Sequence, residues 1–483
     1  MNFVLFPSSP AAAITNSAVS ASFYVCPNVS FGPPLLKFSR RISCPLIGAS
    51  AESQDSLPEL VTETGVIVIG AGLSGLSAAA HLSARKIPFL LLEASDAVGG
   101  RVRTDKVDGF LLDRGFQIFI TAYPEAKRML DYEALDLQKF YSGALVYFNG
   151  EFHRVADPFR HFGDSLTTVA NPIGNLTDKL LVGLNRITAS RASDQEIFSA
   201  PEVTISETLK SIGFSDSIID RFFRPFFGGV FFDKDLVTSS RLYDFIFKCL
   251  ALGDNTLPAN GIAAIPDQLS SKLPPDSVWF GAKVAKIDFP AGIVLEDGRT
   301  VKSQHGVILA VEEPEAVRLL EGRKPASKPG RSTVCLYFSA DDAPIKEPIL
   351  ILNGSGEGLV NNMFFATNVA KSYGPAGKTL VSATLVGGYD QYQDEELEEM
   401  VRKELGGWFG SSTVGSWKHL RTYRIGFAQP DQRPPIGSRF KYRDPRVGAE
   451  IYICGDHVES ATFDGALVSG RRAAEALIAD KGL

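Results

Sequence analysis

Acidic residues are missing from the first fifty positions of this 483-residue chain. That stretch holds nine serines, and Lys37, Arg40 and Arg41 are its only charges. Such a composition is expected of an organelle transit peptide rather than of a folded domain. Its apolar patches are short and broken by proline, which argues against a secretory signal. Abundant serine and scarce arginine favour the plastid over the mitochondrion. Residues 1–55 are therefore set aside as transit peptide and disordered chain. Cysteine is also scarce, at positions 26, 44, 249, 335 and 454, with no Cys-x-x-Cys spacing. A disulfide framework and a zinc site are thereby excluded, and no metal is expected. No long apolar run exists beyond the leader. The longest uncharged stretch there, 65–80, is interrupted by glycine, so no transmembrane helix is expected. A net charge of −6 gives no reason to expect nucleic acid as a partner. The chain as a whole has the composition of a globular enzyme, 45% hydrophobic and 22% charged, and is long enough for two or three domains.

The run 66–69, Val-Ile-Val-Ile, is wholly apolar and β-branched, as a strand buried on both faces would be. Gly70-Ala71-Gly72-Leu73-Ser74-Gly75 follows, then a helical pattern to about Arg85, then a second apolar run, 89–92, ending at Glu93. This is a strand–turn–helix–strand context, not an isolated glycine pattern. Gly70 permits the tight turn, Gly72 lets backbone approach a pyrophosphate, and Gly75 lets helix pack on strand. The helix N-terminus, at Leu73 and Ser74, offers N–H donors and a positive dipole end to phosphates. Glu93 suits ribose hydroxyls and would repel a 2′-phosphate. NADP is thus disfavoured, while NAD and FAD both remain.

Val98-Gly99-Gly100-Arg101-Val102-Arg103-Thr104 comes next. The glycine pair lets a loop run beside an extended cofactor, and Arg101 is long enough to reach its phosphates. Near the other end, an apolar run at 451–454 leads to Gly455-Asp456, and after a loop to Asp464-Gly465-Ala466-Leu467-Val468-Ser469-Gly470-Arg471. These elements, in this order, resemble the flavin amine oxidase and carotenoid (phytoene) desaturase superfamily, in its plant plastid type. The resemblance implies FAD as the cofactor. It implies that Asp456 holds the ribityl and phosphate side, and that a helix started by glycine, at Gly465 and Ala466, points its N-terminus at the flavin ring. The segment 110–116, with Gly115, is similar to the family's element where the chain passes the flavin. In a Val-x-x-Ile strand of the family the valine meets the adenine, and Val284 fits that place, although an ordinary core valine would read the same way.

The implied fold is α/β, a Rossmann-like FAD-binding domain split in sequence into 60–115, 258–312 and 445–483. An α+β substrate domain is interleaved at 116–257 and 313–444. Within it, 214–247 is dense in aromatics, including Phe222, Phe223, Phe226, Phe227, Phe231, Phe232, Tyr243, Phe245 and Phe247. They suit either a tunnel for a long apolar substrate or plain core. Arg221, Arg224 and Lys234 among them also suit a peripheral membrane contact.

No second dinucleotide turn is present, since 354–358 lacks the flanking strand and helix, so electrons are expected to pass to oxygen or a quinone. Many family amine oxidases place a lysine near the flavin, and the aligned position here is Val334. The covalent-flavin cysteine motif is also missing. Both departures weigh against amine oxidation. The expected chemistry is FAD-mediated dehydrogenation or redox-gated isomerisation of an apolar small molecule: a polyene, isoprenoid or tetrapyrrole. Alternatives are a flavin amine oxidase producing hydrogen peroxide and a non-catalytic flavin-binding scaffold in pigment assembly. Hydride transfer from carbon needs no acid or base, so no catalytic residue is assigned. His457, Tyr423 and Arg424 are placed near the flavin edge, with structural roles favoured.

Overall fold

The computed structural model describes residues 61–157, 159–161, 171–288, 292–320, 329–436, 444–448 and 450–483. Residues 1–55, expected to be transit peptide and disordered chain, lie outside the described residues. Strand Val61–Ile69 sits between Phe89–Leu92 and Thr300–Leu309, parallel to both, with Ile69 opposite Leu92 and Leu309. Alternate residues face alternate layers: Val66 and Val68 pack into one core, Ile67 and Ile69 into another. Burial on both faces is why the run is apolar throughout instead of alternating. Val278–Trp279 extends the sheet on one side, and Ile451–Ile453 pairs with Val307–Leu309 on the other, both in parallel. Gly292–Leu295 and Val284–Asp288 continue it antiparallel through a turn in which Gly298 takes φ +88°. Seven strands in this sheet thus come from three separated stretches of chain.

Helix Leu73–Ala84 and the C-terminal helix Phe463–Lys481 cross on one face of this sheet. A Cβ on Gly470 would lie 2.0 Å from the Ser74 carbonyl oxygen. Ser77 Oγ donates to the Leu467 carbonyl at 2.6 Å. Small side chains at the crossing therefore bring the two phosphate-side and C-terminal motifs together.

A second sheet of seven strands runs in the order Lys418–Gln429, Arg331–Ala340, Thr379–Val386, Val360–Phe365, Leu350–Asn353, Gly143–Phe148 and Glu151–Ala156. One face carries Val334, Leu336, Met363, Val381 and Leu385 into an apolar layer under Leu397, Val401 and Leu405 of helix Asp394–Phe409. The opposite face, with Cys335, Tyr337, Leu350, Leu352 and Phe364, belongs to a different cluster that borders the cavity described below. Asp113 ties several elements together. Thr104 Oγ1 and the Ile262 N–H donate to its Oδ1 at 2.6 and 2.9 Å, and Tyr373 OH donates to Oδ2 at 2.9 Å. Tyr337 OH donates to its carbonyl oxygen at 2.9 Å. Burial pushes this carboxyl up to about 6.

The aromatic stretch is mainly core. Phe214, Phe223, Phe227, Phe231, Tyr243 and Phe245 are buried against one another and against the first layer, whereas Phe226 and Phe232 reach the cavity. Their interleaved cations bind the protein itself. Arg221 donates to the Pro172 carbonyl, Arg224 pairs with Asp220 at 3.0 Å, and Lys234 donates to Tyr389 OH. No helix among the described residues is long and apolar enough to cross a membrane.

Candidate cofactor and substrate site

The turn 70–75 is built as its glycines require. Gly70 takes φ +98°, and a Cβ on Gly75 would lie 1.9 Å from the Gly70 carbonyl oxygen. At Gly72 the situation reverses: φ is −70° and a Cβ would meet nothing within 4 Å. That open space is a cavity of about 650 Å³ lined by Gly70, Gly72, Leu73 and Ser74. Gly72 is the N-cap of helix Leu73–Ala84, with no side chain capping it and no acid in the first turn. Its first-turn N–H groups thus face the cavity with the dipole's positive end, a cradle fitted to a pyrophosphate.

Glu93 also lines the cavity. Its Oε2 accepts from the Ala71 N–H at 2.8 Å, and its Oε1 from Ser95 N and Oγ at 2.9 and 2.7 Å. The carboxylate thus braces the turn, and Oε2, which accepts from Ala71 alone, keeps a second lone pair for a ribose. Gly99 and Gly100, both with positive φ, bring the next loop alongside, and the Gly99 N–H donates to the Ala71 carbonyl. Arg101 pairs with Asp456 at 2.8 Å, with Glu312 at 3.3 Å, and donates to the Ala428 carbonyl at 2.9 Å. Burial alone would push Asp456 up; the charge and hydrogen bonds of Arg101 outweigh it and hold the carboxyl below its usual value.

Gly115, Val284, Gly455, Asp456 and Ala466 line the same cavity. Gly75 and Gly465 do not; both serve packing, a Cβ on Gly465 falling 2.1 Å from the Ser460 carbonyl oxygen. The C-terminal helix begins at Phe463, ahead of the expected Gly465. Thr462 caps it by accepting from the Gly465 N–H at 2.9 Å, so the glycine motif forms its first turn rather than its start.

Three further expectations change. Val334 points into the apolar layer and is fully buried there, whereas Thr333, one residue earlier, lines the cavity. Side chains alternate along a strand, so a one-residue error in alignment swaps faces. Tyr423 and Arg424 line no part of the cavity. Tyr423 OH donates to Asp105 Oδ2 at 2.7 Å, and Arg424 pairs with Asp394 at 2.6 Å. Their neighbours Ile425, Ala428 and Gln429 do line it. His457 is buried outside the lining, and burial pulls its imidazole down to about 4, leaving it neutral. The residues missed in sequence are Thr333 and Asn362, placed on the cavity by strand pairing across the second sheet.

A family of flavin-containing amine oxidoreductases matches residues 73–478 of the chain. The chain belongs to that family. The family's proteins are flavin-containing oxidoreductases, and the cofactor of this chain is accordingly FAD. A coproporphyrinogen III oxidase of Propionibacterium freudenreichii subsp. freudenreichii is 28% identical over 176 residues, 34% of this chain and 31% of that one. Protoporphyrinogen oxidase 2, chloroplastic/mitochondrial, of Arabidopsis thaliana is 26% identical over 181 residues, 38% of this chain and 35% of that one. The matched stretches thus span about a third of these relatives. Wild-type putrescine oxidase bound to putrescine shares the fold, with a TM-score of 0.63 at 18% identity, over 87% of this chain and all of that one.

Proposed function

We propose that this protein dehydrogenates, or isomerises in a redox-gated step, an apolar small molecule of the polyene, isoprenoid or tetrapyrrole type. The observation that carries the reading is the continuation of the cavity past Gly455 and Asp456 into a chamber walled by Phe226, Ile246, Leu250, Leu350 and Leu352. FAD, when bound, supplies the hydride acceptor. The segments 60–115, 258–312 and 445–483 form the cofactor domain in this reading, and 116–257 with 313–444 the substrate domain. Leu73, Ser74 and Gly72 receive the pyrophosphate, Glu93 the ribose, and Asp456 with Arg101 the ribityl–phosphate side. The chamber's work is to orient a C–H bond and exclude water.

An amine substrate is disfavoured. Every carboxylate lining the cavity (Glu93, Glu312, Glu315 and Asp456) lies on the cofactor side, Glu315 because its helix Glu313–Leu319 packs on the first sheet although it falls just past residue 312; none comes from the second sheet or from helices Arg224–Phe231 and Ser240–Leu252. An ammonium entering the chamber would lose its hydration without a counter-charge. The names of the two curated relatives, both oxidases of porphyrinogens, support a tetrapyrrole over an amine. An acid-free leader and the chloroplastic/mitochondrial name of the Arabidopsis relative support a plastid location.

Electrons pass on to oxygen or a quinone. Photoreducing the bound flavin without oxygen, then mixing with air or decyl-plastoquinone, tests turnover. Reoxidation by either one is expected of the enzyme. A flavin that neither reoxidises would instead indicate a scaffold and overturn the reading.

A further inference from the structure

The chamber is apolar but not featureless, and among the described residues one buried donor on its wall lacks an acceptor. Asn362 lies on strand Val360–Phe365, is 1% exposed and lines the cavity. The pairing of this strand with Thr379–Val386 slips between Val360 and Asn362, so that Asn361 is an extra residue. A bulge of this kind re-aims side chains, and here it lets the two neighbouring asparagines meet. Asn361 Nδ2 donates to the Pro225 carbonyl at 2.8 Å and to Asn362 Oδ1 at 2.9 Å.

Those two bonds fix the amide orientation of Asn362. Turning it over would set its NH2 group against the donor of Asn361. Gly229 closes the arrangement from the helix side, since a Cβ there would come 2.8 Å from Asn362 Oδ1 and 2.9 Å from Asn361 Nδ2. With its oxygen taken, Asn362 is left with Nδ2, which is buried and has no acceptor in reach. The nearby polar lining differs: Thr333 Oγ1 donates to the Leu385 carbonyl and Gln429 Nε2 to the Val230 carbonyl. Buried donors in native proteins are satisfied by something, and one held rigidly at a cavity wall is satisfied by what fills the cavity.

We propose that Asn362 is a specificity residue whose side-chain amide donates to a carbonyl or hydroxyl oxygen of an uncharged, otherwise apolar ligand. This rests on the chamber being the substrate site. The ligand is uncharged because no Lys, Arg, Asp or Glu lines the cavity from the second sheet or from the two helices. A carboxylate there would be buried without a cation. The same chemistry is offered by an oxygen-bearing substrate and by a quinone acceptor, so both sources are tested.

The experiment titrates the flavin-loaded protein with matched pairs and follows the perturbation of the flavin absorbance. Retinal is set against its hydrocarbon counterpart axerophtene, and decyl-plastoquinone against dodecylbenzene. The expected result is a preference of about 10- to 100-fold for the oxygenated member of at least one pair. The retinal pair reports a substrate and the quinone pair an acceptor. Asn362→Leu keeps the side-chain volume and removes the donor, while Asn361 keeps its bond to the Pro225 carbonyl. It is expected to abolish the preference while the hydrocarbon is still bound. Asn362→Ala is expected to abolish the preference as well. Equal binding within both pairs, or a preference that survives in both variants, overturns the role of Asn362 and leaves the chamber reading standing. Failure of all four probes to bind overturns both.

Discussion

Arg101 and Asp456, 355 positions apart in the chain, meet as an ion pair with contacts of 2.8 and 2.9 Å. The pair closes the cofactor side of the cavity by joining the glycine-pair loop to the segment that follows strand Ile451–Ile453. Removing Arg101 leaves the buried Asp456 without its cation. Arg101→Met is expected to cost about 3 kcal/mol and to strip flavin from the protein. The double variant Arg101→Met/Asp456→Leu should recover part of that stability but none of the flavin. Chemical denaturation with flavin quantitation checks this; additive losses would contradict it.

Gly72 and Gly75 separate folding from cofactor binding. Gly72→Ala places its methyl in open space, so stability of the flavin-free protein should change by no more than about 0.5 kcal/mol. The same methyl occupies the pyrophosphate's approach, so FAD affinity should fall at least about tenfold. Gly75→Ala drives a methyl into the Gly70 carbonyl and should destabilise the fold itself, by about 3 kcal/mol. Flavin titration and thermal melts of both variants distinguish the two effects.

Thr333 and Val334 face opposite layers. Val334→Lys forces an ammonium into the apolar layer beside Leu385 and should abolish soluble expression. Thr333→Lys sends the chain into the cavity, keeps the fold, and should alter the flavin spectrum. Reversed tolerance of the two lysines would contradict the strand's register.

The Asp113 carboxyl supplies a pH dependence. It is raised from 3.8 to about 6 by burial, so the folded protein holds a proton that the unfolded chain has already released across that window. Stability from this group is therefore present at low pH and lost as pH rises from about 4 to about 6, by at most about 3 kcal/mol. Asp113→Asn preserves the acceptor for Thr104 and Ile262 and removes the titration. Its stability curve, subtracted from that of the native protein, should show this slope; a flat difference would contradict it.

The sequence was most legible where local chemistry dictates backbone. Gly70, Gly99 and Gly100 all take positive φ, and the apolar run ending at Ile69 is buried on both faces. The 89–92 run has the bounds read for it. Where a side chain's role depends on which face of a strand or helix it occupies, reading failed. Val334 and Thr333 differ by one position, and Tyr423 and Arg424 sit beside cavity residues without being among them. The aromatic run was ambiguous for the same reason: helical spacing does not say which phenylalanines meet core and which meet the cavity. Asn362 was beyond reach, because its donor is singled out by a bulge and by a neighbour's hydrogen bond, neither of which leaves a mark in sequence.

The measurement that bears most directly on the account is anaerobic mixing of the FAD-loaded protein with a reduced tetrapyrrole that carries no carboxylate (octaethylporphyrinogen), with phytoene, and with the diamine putrescine. The flavin absorbance is followed in each. The account predicts bleaching by at least one of the two apolar compounds and none by putrescine. Bleaching by putrescine alone, or a purified protein that retains no flavin, would contradict it.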